Sequence, residues 1–165
     1  MPDMTEPAID ITPPVSKATR NVMRANKRRD TGPELRVRRW LHARGYRFRL
    51  DYAKLPGRPD VVLPKHRIAI FVHGCYWHDH GCGKGRRPKT NPEFWQAKFA
   101  RNAERHERAE AAIARLAWRS VVVWECDLKR IDDAMALVIA MMKIETQARD
   151  QERRHRTTHA SCSPG

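Results

Sequence analysis

The chain has 165 residues, a length that suits one domain with a sizeable core and one functional site. Its 33 lysines and arginines outnumber 19 aspartates and glutamates, and the resulting formal net charge of +14 favours a polyanionic partner, nucleic acid first. A merely solvated basic surface and an anionic membrane are the alternatives. No apolar run approaches the ~20 residues that a spanning helix needs, and the N-terminus lacks the features of a signal peptide, so we expect a soluble, cytoplasmic protein.

Composition divides the chain into three parts. Residues 1–15 are rich in proline and acid and have no periodicity, which predicts a disordered lead-in. Residues 16–146 carry the periodic segments and form the predicted domain. From residue 147 onward the chain is basic and polar, which predicts a disordered tail over residues 147–165.

Two helices are predicted before the first strand. A short helix is expected from Ser16 to about Lys27. The second helix is better marked, because Thr31 can cap it, Glu34 favours the positive end of the helix dipole, and Gly45 ends it.

The rest of the domain is predicted from apolar periodicity and β-branched runs. The predicted strands are Tyr46–Leu50, Asp60–Leu63, Arg67–His73 and Ser120–Trp124. The predicted helices are a long one, mostly a solvated charged face, from Asn91 to about Ala117, and a terminal one over Ile131–Ile144. This order indicates an α/β fold with a central sheet and helices on its faces.

A dense group of cysteines and histidines suggests a metal. The chain reads CYWHDHGC from Cys75 to Cys82, and Cys126 follows the last predicted strand. Four thiolate or imidazole ligands make a closed tetrahedral zinc site, and such a site is structural because no position is open for water. The predicted ligands are Cys75, His80, Cys82 and Cys126, with His78 as the alternative histidine. Buried reduced cysteines and a redox pair are the other interpretations.

Asp60 ends the segment LPGRPD at the start of a predicted strand. Taken alone, such a Pro-Asp pair is more often a turn signal. Glu34 lies on a preceding helix, however, and the predicted strand Arg67–His73 adjoins the strand of Asp60. In this arrangement the Asp60 carboxylate suits the binding of a hard cation for phosphodiester cleavage. His73 and His78 could move protons near neutral pH. The alternatives are a core role for His73 and a dipole role for Glu34.

Aromatic and basic residues suit contact with DNA. Tyr76 and Trp77 lie inside the cysteine-rich loop, and Trp95 lies near the start of the long helix, where a core role is the alternative. Rings of this kind can insert between bases, most cheaply at a mismatch. The cations expected to meet phosphates are Lys84, Arg86, Arg87 and Lys89.

These segments together resemble the Vsr mismatch endonucleases over residues 17–130. The matching segments are KATRNVMRA, RDTGPE, LPGRPD, FVHGCYWHDHGC, NPEFWQAKFARNAERH and VVVWEC, in family order and spacing. The resemblance implies a PD-(D/E)XK restriction-endonuclease-like core, with a mixed central sheet flanked by helices. It also implies nicking of one strand, 5′ of the mismatched T, at the T:G pair left when 5-methylcytosine deaminates.

The resemblance also assigns roles residue by residue. Asp60 is similar to the magnesium-binding aspartate, and the Val72 carbonyl would complete the magnesium shell. His78 resembles the catalytic histidine, supported by Glu34, with His73 near the phosphate. The zinc ligands match Cys75, His80, Cys82 and Cys126, and the aromatic wedge matches Tyr76, Trp77 and Trp95.

The chain departs from the family at several positions. The E-x-K half of the nuclease motif is missing after Asp60, as is typical of Vsr proteins, where a histidine replaces it. Tyr76 stands where phenylalanine is common in the family. Asp79 and Gly81 reduce the number of histidines in the cysteine-rich loop.

The expected cofactors are one or two catalytic Mg²⁺ ions and one structural Zn²⁺. The expected partner is duplex DNA with a T:G mismatch, bound by a monomer at the bacterial nucleoid, with links to a cytosine-5 DNA methyltransferase and mismatch-repair proteins. Two other functions compete: an inactive zinc-stabilised DNA-binding module, and a nuclease of the same fold that cuts branched or unmodified DNA.

Overall fold

The computed structural model describes residues 29–83 and 91–160. Its main elements are α1 (Gly32–Ala43), β1 (Val61–Leu63), β2 (Ile68–His73), α2 (Pro92–Arg115), β3 (Arg119–Trp124) and α3 (Ile131–Ala160). Short 3-10 helices, Pro64–His66 and Asp127–Arg130, precede β2 and α3. The predicted lead-in and the predicted helix Ser16–Lys27 lie outside the described residues.

The three strands form one mixed sheet in the order β1-β2-β3. Strand β1 pairs antiparallel with β2, with Val61 opposite Ile70. Strand β3 pairs parallel with β2, with Val121 opposite Ile70, and α2 provides the long connection that a parallel pair requires. The predicted mixed sheet flanked by helices is therefore confirmed, and the PD-(D/E)XK assignment stays a prediction.

Strand β2 is the centre of the core because both of its faces are covered. Ile68 and Ile70 belong to a cluster with residues of α1 and α3, while Ala69 and Phe71 belong to a cluster with Ala109 and Ile113 of α2. A strand buried on both sides needs the continuous apolar run that the sequence has here. Because side chains alternate along a strand, His73 lies on the same face as Phe71, towards α2.

Helix α1 has the predicted boundaries. The Thr31 hydroxyl accepts a hydrogen bond of 3.5 Å from the Glu34 N–H at its start. Gly45, with φ +75°, donates its N–H to the His42 carbonyl at 2.9 Å at its end. The indole N–H of Trp40 donates to Asp132 at 2.7 Å, which ties α1 to α3.

Three elements differ from the prediction. The segment Tyr46–Leu50 is not a regular strand: it makes a single bridge, Arg49 to Val62, before the chain turns at Asp51, where φ is +49°. Helix α2 ends at Arg115 rather than Ala117, since Ala117 has φ +58°. Helix α3 continues past Ile144 to Ala160, so residues 147–160, expected to be disordered, are helical.

Residues 147–160 were expected to be disordered because they are basic and polar. They also contain Ala, Arg, Glu and Gln, which are good helix formers. None of the helices in residues 29–83 and 91–160 is long and apolar enough to cross a membrane.

Candidate active site and metal cluster

A cleft of about 1030 Å³ opens where β2 ends. It is lined by the acids and histidines singled out from the sequence, namely Glu34, Asp60, His73 and His78. It is also lined by residues of one face of α2, namely Lys98, Arg101, Asn102 and Arg105. The fold therefore brings acidic, imidazole and cationic side chains from four separate chain segments into one site.

Asp60 lies directly before β1, and its carboxylate accepts a hydrogen bond of 2.7 Å from the Val72 N–H. Its pKa is raised from 3.8 to about 6, mainly by burial and also by the negative charge of Glu34, against the opposing effects of the Val72 hydrogen bond and the charge of Arg38. Residues 29–83 and 91–160 place no ion-pair partner on this carboxylate. A buried acid in this state binds either a proton or a cation.

The Val72 carbonyl faces the same edge as Asp60. On β2 the His73 carbonyl accepts the Glu125 N–H at 2.9 Å and so faces β3. Backbone groups of adjacent strand residues point to opposite edges, so the N–H and carbonyl of Val72 both face the β1 side. The two oxygen groups expected to bind magnesium thus lie on the same side of β2, the side that faces β1.

Glu34 is held by its own helix rather than by a histidine. Its carboxylate accepts hydrogen bonds from the Thr31 hydroxyl at 2.8 Å, the Asp30 N–H at 2.9 Å and the Arg38 guanidinium at 2.7 Å. Among the described residues no hydrogen bond joins Glu34 to His78. The structure therefore couples Glu34 to Arg38 and, through its charge, to Asp60.

His73 and His78 form a stacked pair. Their ring centroids are 3.6 Å apart and their planes differ by 8°. Burial, followed by the neighbouring His78 and His106, lowers the pKa of His73 to about 3, and burial, followed by His106 and Arg105, lowers the pKa of His78 to about 4. Both imidazoles are therefore neutral near pH 7.

The four predicted zinc ligands meet at one point. One ligand atom each from Cys75, His80, Cys82 and Cys126 lies within 4.8 Å of the other three. The loop folds back through two hydrogen bonds, from His80 N–H to the Cys75 carbonyl at 3.1 Å and from Cys82 N–H to the His80 carbonyl at 2.7 Å. The sequence thus identified a Cys/His cluster that can hold a metal ion.

The chemistry of the cluster fits a soft cation. Burial and the neighbouring Cys75, Asp127 and Cys82 raise the pKa of Cys126 to about 12, and burial raises the pKa of Cys75, so these two thiols keep their protons until a cation replaces them. The His80 ring is stacked on Trp124 with centroids 4.0 Å apart, and this contact fixes the orientation of the ligand. Three sulfurs and one nitrogen are a donor set typical of structural zinc.

The aromatic residues form a second cluster beside the cleft. The ring centroids of Tyr76 and Trp77 are 4.9 Å apart, and that of Trp95 lies 5.6 Å from Tyr76. Tyr76 and Trp77 are half-buried, whereas Trp95 is only 6 % exposed, so Trp95 has the core position that was its alternative. The predicted phosphate contacts Lys84, Arg86, Arg87 and Lys89 lie outside the described residues.

Known proteins are similar to this chain. It is 48% identical over 109 residues to the type II nicking enzyme V.XorIIP of Xanthomonas oryzae pv. oryzae, which covers 66% of this chain and 80% of that protein. It is 46% identical over 114 residues to the DNA mismatch endonuclease Vsr of Escherichia coli K12, and the aligned region covers 68% of this chain and 73% of that protein. The profile of the family described as DNA mismatch endonuclease Vsr matches residues 12–84. The chain belongs to the Vsr family. Membership makes it a nuclease, which is a hydrolase, and makes DNA its partner.

Several residues of this Vsr-family site were missed in the sequence. We expected the middle of α2 to be a solvated face, yet it lines the cleft through Lys98, Arg101 and Arg105. The signal was their spacing, because residues three or four apart on a helix share a face. Trp124 and His106 were missed as well, since only the fold brings them next to the predicted histidines.

Proposed function

We propose that this Vsr-family nuclease nicks one strand of duplex DNA in a magnesium-dependent reaction, 5′ of the mismatched T of a T:G pair, and so begins very-short-patch repair. The observation that carries the proposal is the cleft that unites Asp60, the stacked pair His73–His78 and the cationic face of α2. Carboxylate and imidazole suit phosphodiester hydrolysis, and the cations suit the DNA backbone.

Asp60 and the Val72 carbonyl are the groups that would hold Mg²⁺, with room in the cleft for one ion or two. Magnesium, when bound there, supplies Lewis-acid stabilisation of the attacking and leaving oxygens. The fit rests on the raised pKa of Asp60, because a buried carboxylate without a cationic partner gains from a cation. Glu34, fixed by Arg38, adds negative charge that favours the cation.

We assign proton transfer to the histidines. His78 is neutral and makes no hydrogen bond to any described residue, so a ring nitrogen is available to accept the proton of the attacking water. His73, beneath it, lies near the scissile phosphate. Lys98, Arg101 and Arg105 across the cleft bind the phosphates on either side of the cut.

We assign Zn²⁺ to the cluster of Cys75, His80, Cys82 and Cys126, where it stabilises the fold and takes no part in the chemistry. Between two of these ligands, Tyr76 and Trp77 form the wedge that enters the DNA stack. Trp95 is buried beneath them. It supports the wedge, or it enters the DNA stack with them once the aromatic cluster opens. The enzyme acts as a monomer at the bacterial nucleoid, and it is functionally linked to mismatch-repair proteins and to a cytosine-5 methyltransferase, whose product 5-methylcytosine gives the T:G pair on deamination.

The test is to incubate the protein with end-labelled duplexes that differ only in a T:G, T:A or C:G pair, with and without Mg²⁺. We expect a single nick 5′ of the mismatched T, in the T:G duplex and only with Mg²⁺. Asp60→Asn keeps the shape and should bind the duplex without nicking it. Binding without cleavage by the unchanged protein would favour an inactive DNA-binding module, and equal cleavage of all duplexes would remove the T:G specificity.

A further inference from the structure

A third histidine, His106 of α2, lies against the proposed catalytic pair and has no role so far. Its ring centroid is 4.4 Å from that of His73, with the planes at 71°, and 5.0 Å from that of Phe71. Only 16% of its side chain is exposed. His106 is therefore packed edge-to-face against the inner histidine of the stack.

The other side of His106 lies beside a carboxylate. Its Nε2 lies 3.5 Å from Glu110 Oε1, one helical turn further along α2. The same Glu110 oxygen accepts a hydrogen bond of 3.0 Å from the Ser120 hydroxyl on β3. A polar chain thus runs from β3 through Glu110 and His106 to the ring of His73.

His73 needs such a support. Its ring makes no hydrogen bond to any described residue, so ring contacts alone hold its orientation. Its neighbours are the rings of Phe71, His78, His106 and Trp124. Of these, His106 is the one with a ring nitrogen beside a carboxylate that is itself hydrogen-bonded, that of Glu110. Ring packing without such an anchor allows His73 and the stacked His78 to shift together.

We propose that His106, anchored by Glu110, is a positioning residue that holds the stack of His73 and His78 in the orientation that DNA nicking requires. This inference rests on the proposed function. His106 touches neither the metal-binding groups nor the zinc ligands, and α2 needs no histidine there for its fold, because an apolar ring would fill the same space against Phe71.

The test separates ring packing from the polar anchor. His106→Phe keeps an aromatic edge against His73 and removes the link to Glu110, whereas Glu110→Gln keeps the ring and weakens the link. Single-turnover nicking of saturating T:G duplex should fall about tenfold or more in each variant, because small misplacements of catalytic groups are costly. The dissociation constant of the duplex should stay within about twofold, since no DNA contact is removed.

Residues that act as one unit have non-additive effects, so the double variant should be no slower than the slower single variant. Glu104→Gln is the matched control, because Glu104 pairs with Arg108 at 3.5 Å on the exposed side of the same helix. Full-rate nicking by His106→Phe and Glu110→Gln, or multiplied losses in the double variant, would overturn the proposal. If His106→Phe loses zinc or unfolds, Glu110→Gln at the half-exposed surface decides alone. An unchanged protein that fails to nick T:G duplex contradicts the proposed function itself.

Discussion

At the scale of single residues, the site contains ionisable groups that are shielded from water or crowded against each other. The Asp60 carboxylate is largely withdrawn from solvent, and three thiols of the Cys/His cluster are crowded together. Each arrangement costs free energy in the absence of a cation, and a cation removes that cost. Metal binding and folding are therefore expected to be linked at both places.

For Asp60, the linkage predicts a dependence on pH in the metal-free protein. A carboxyl pKa raised from 3.8 to about 6 means that the folded state binds the proton more tightly than the unfolded state. This contribution to stability is complete below about pH 4 and is lost as the pH rises through 6. Asp60→Asn, which cannot ionise, should therefore be more stable than the unchanged protein at pH 7.5, by at most ~3 kcal/mol, and the difference should vanish at low pH.

Chemical denaturation at pH 7.5 and at pH 4, in buffer without Mg²⁺ and with the zinc of the Cys/His cluster retained, measures this difference. Adding Mg²⁺ should raise the free energy of unfolding of the unchanged protein and leave that of Asp60→Asn as it was. Equal stability of the two proteins at pH 7.5, or stabilisation of both by Mg²⁺, would argue against a cation at Asp60.

For the Cys/His cluster, we expect about one zinc ion per chain to copurify with the unchanged protein, and we expect Cys126→Ala to lose this zinc and to unfold at a much lower temperature. The energy of binding at a closed structural site is folding energy, which explains the size of the effect. Metal analysis and thermal unfolding are the measurements. Cys162→Ala, which changes a cysteine outside the described residues, is the matched control and should keep both properties.

At the scale of elements, two loops position the site. The loop before β1 approaches α2 so closely at Gly57 that a Cβ there would collide with the Cβ of Ala109, and Gly57 also has φ +76°. Glycine is required on both grounds. The cysteine-rich loop is tied to α2 by the side-chain amide of Asn102, which donates to the Trp77 carbonyl at 2.8 Å.

We predict that Gly57→Ala destabilises the protein by ~1–3 kcal/mol, through the positive φ and the clash with α2. Nicking should fall as well, because the displaced loop carries Asp60. Gly32→Ala is the matched control, since no atom lies within 4 Å of a Cβ added there, and it should change stability by less than ~0.5 kcal/mol. Comparable effects of the two substitutions on unfolding would show that the close approach at Gly57 is not a constraint.

The aromatic wedge predicts a loss of discrimination. Stacking on a ring is worth ~1–3 kcal/mol per base, so Trp77→Ala should weaken T:G duplex binding about ten- to a hundredfold and T:A duplex binding less. Titration of both duplexes at fixed salt measures the ratio, after metal analysis has confirmed that zinc is retained. Tyr76→Phe keeps the ring and should bind like the unchanged protein. A correctly metallated Trp77→Ala with its full preference for T:G would mean that Trp77 only fills the loop.

At the scale of the whole molecule, charge is distributed unevenly. The net charge is +14, and the face of α2 that lines the cleft carries Lys98, Arg101 and Arg105. Cations of this kind draw a polyanion to the cleft and release its counterions on binding. DNA affinity should consequently fall steeply as salt rises.

Arg101→Gln should weaken T:G and T:A duplexes to a similar extent and lower the slope of log K against log salt by about one. Arg108→Gln is the matched control on the same helix, because Arg108 is 72% exposed and pairs with Glu104. Binding isotherms at several salt concentrations provide both slopes. An unchanged slope for Arg101→Gln, or the same change for Arg108→Gln, would mean that DNA does not follow the cleft face of α2.

Local chemistry in the sequence was enough to predict several features of this protein. The limits of α1 follow from a capping threonine and a terminating glycine, which act through neighbouring backbone groups. The cluster of Cys75, His80, Cys82 and Cys126 could be predicted because so few side chains bind a soft cation, and the structure confirms that they meet. Strand β2 was evident from its uninterrupted apolar run.

Other features depend on contacts between distant segments, and only the tertiary structure decided them. Tyr46–Leu50 has the sequence pattern of a strand, but a strand forms only where a neighbouring strand pairs with it in register. Here β1 pairs with this segment through a single bridge, so no regular strand forms. The Glu34–Arg38 pair lies within one turn of α1 and follows from local spacing, but the lack of a hydrogen bond between Glu34 and His78 depends on how α1 sits against the sheet. The cleft face of α2 and the contact of His106 with His73 likewise exist because α2 packs across β2. A side chain's type and local spacing limit what it can do, whereas long-range packing determines which neighbours it meets, and catalysis and recognition depend on those neighbours.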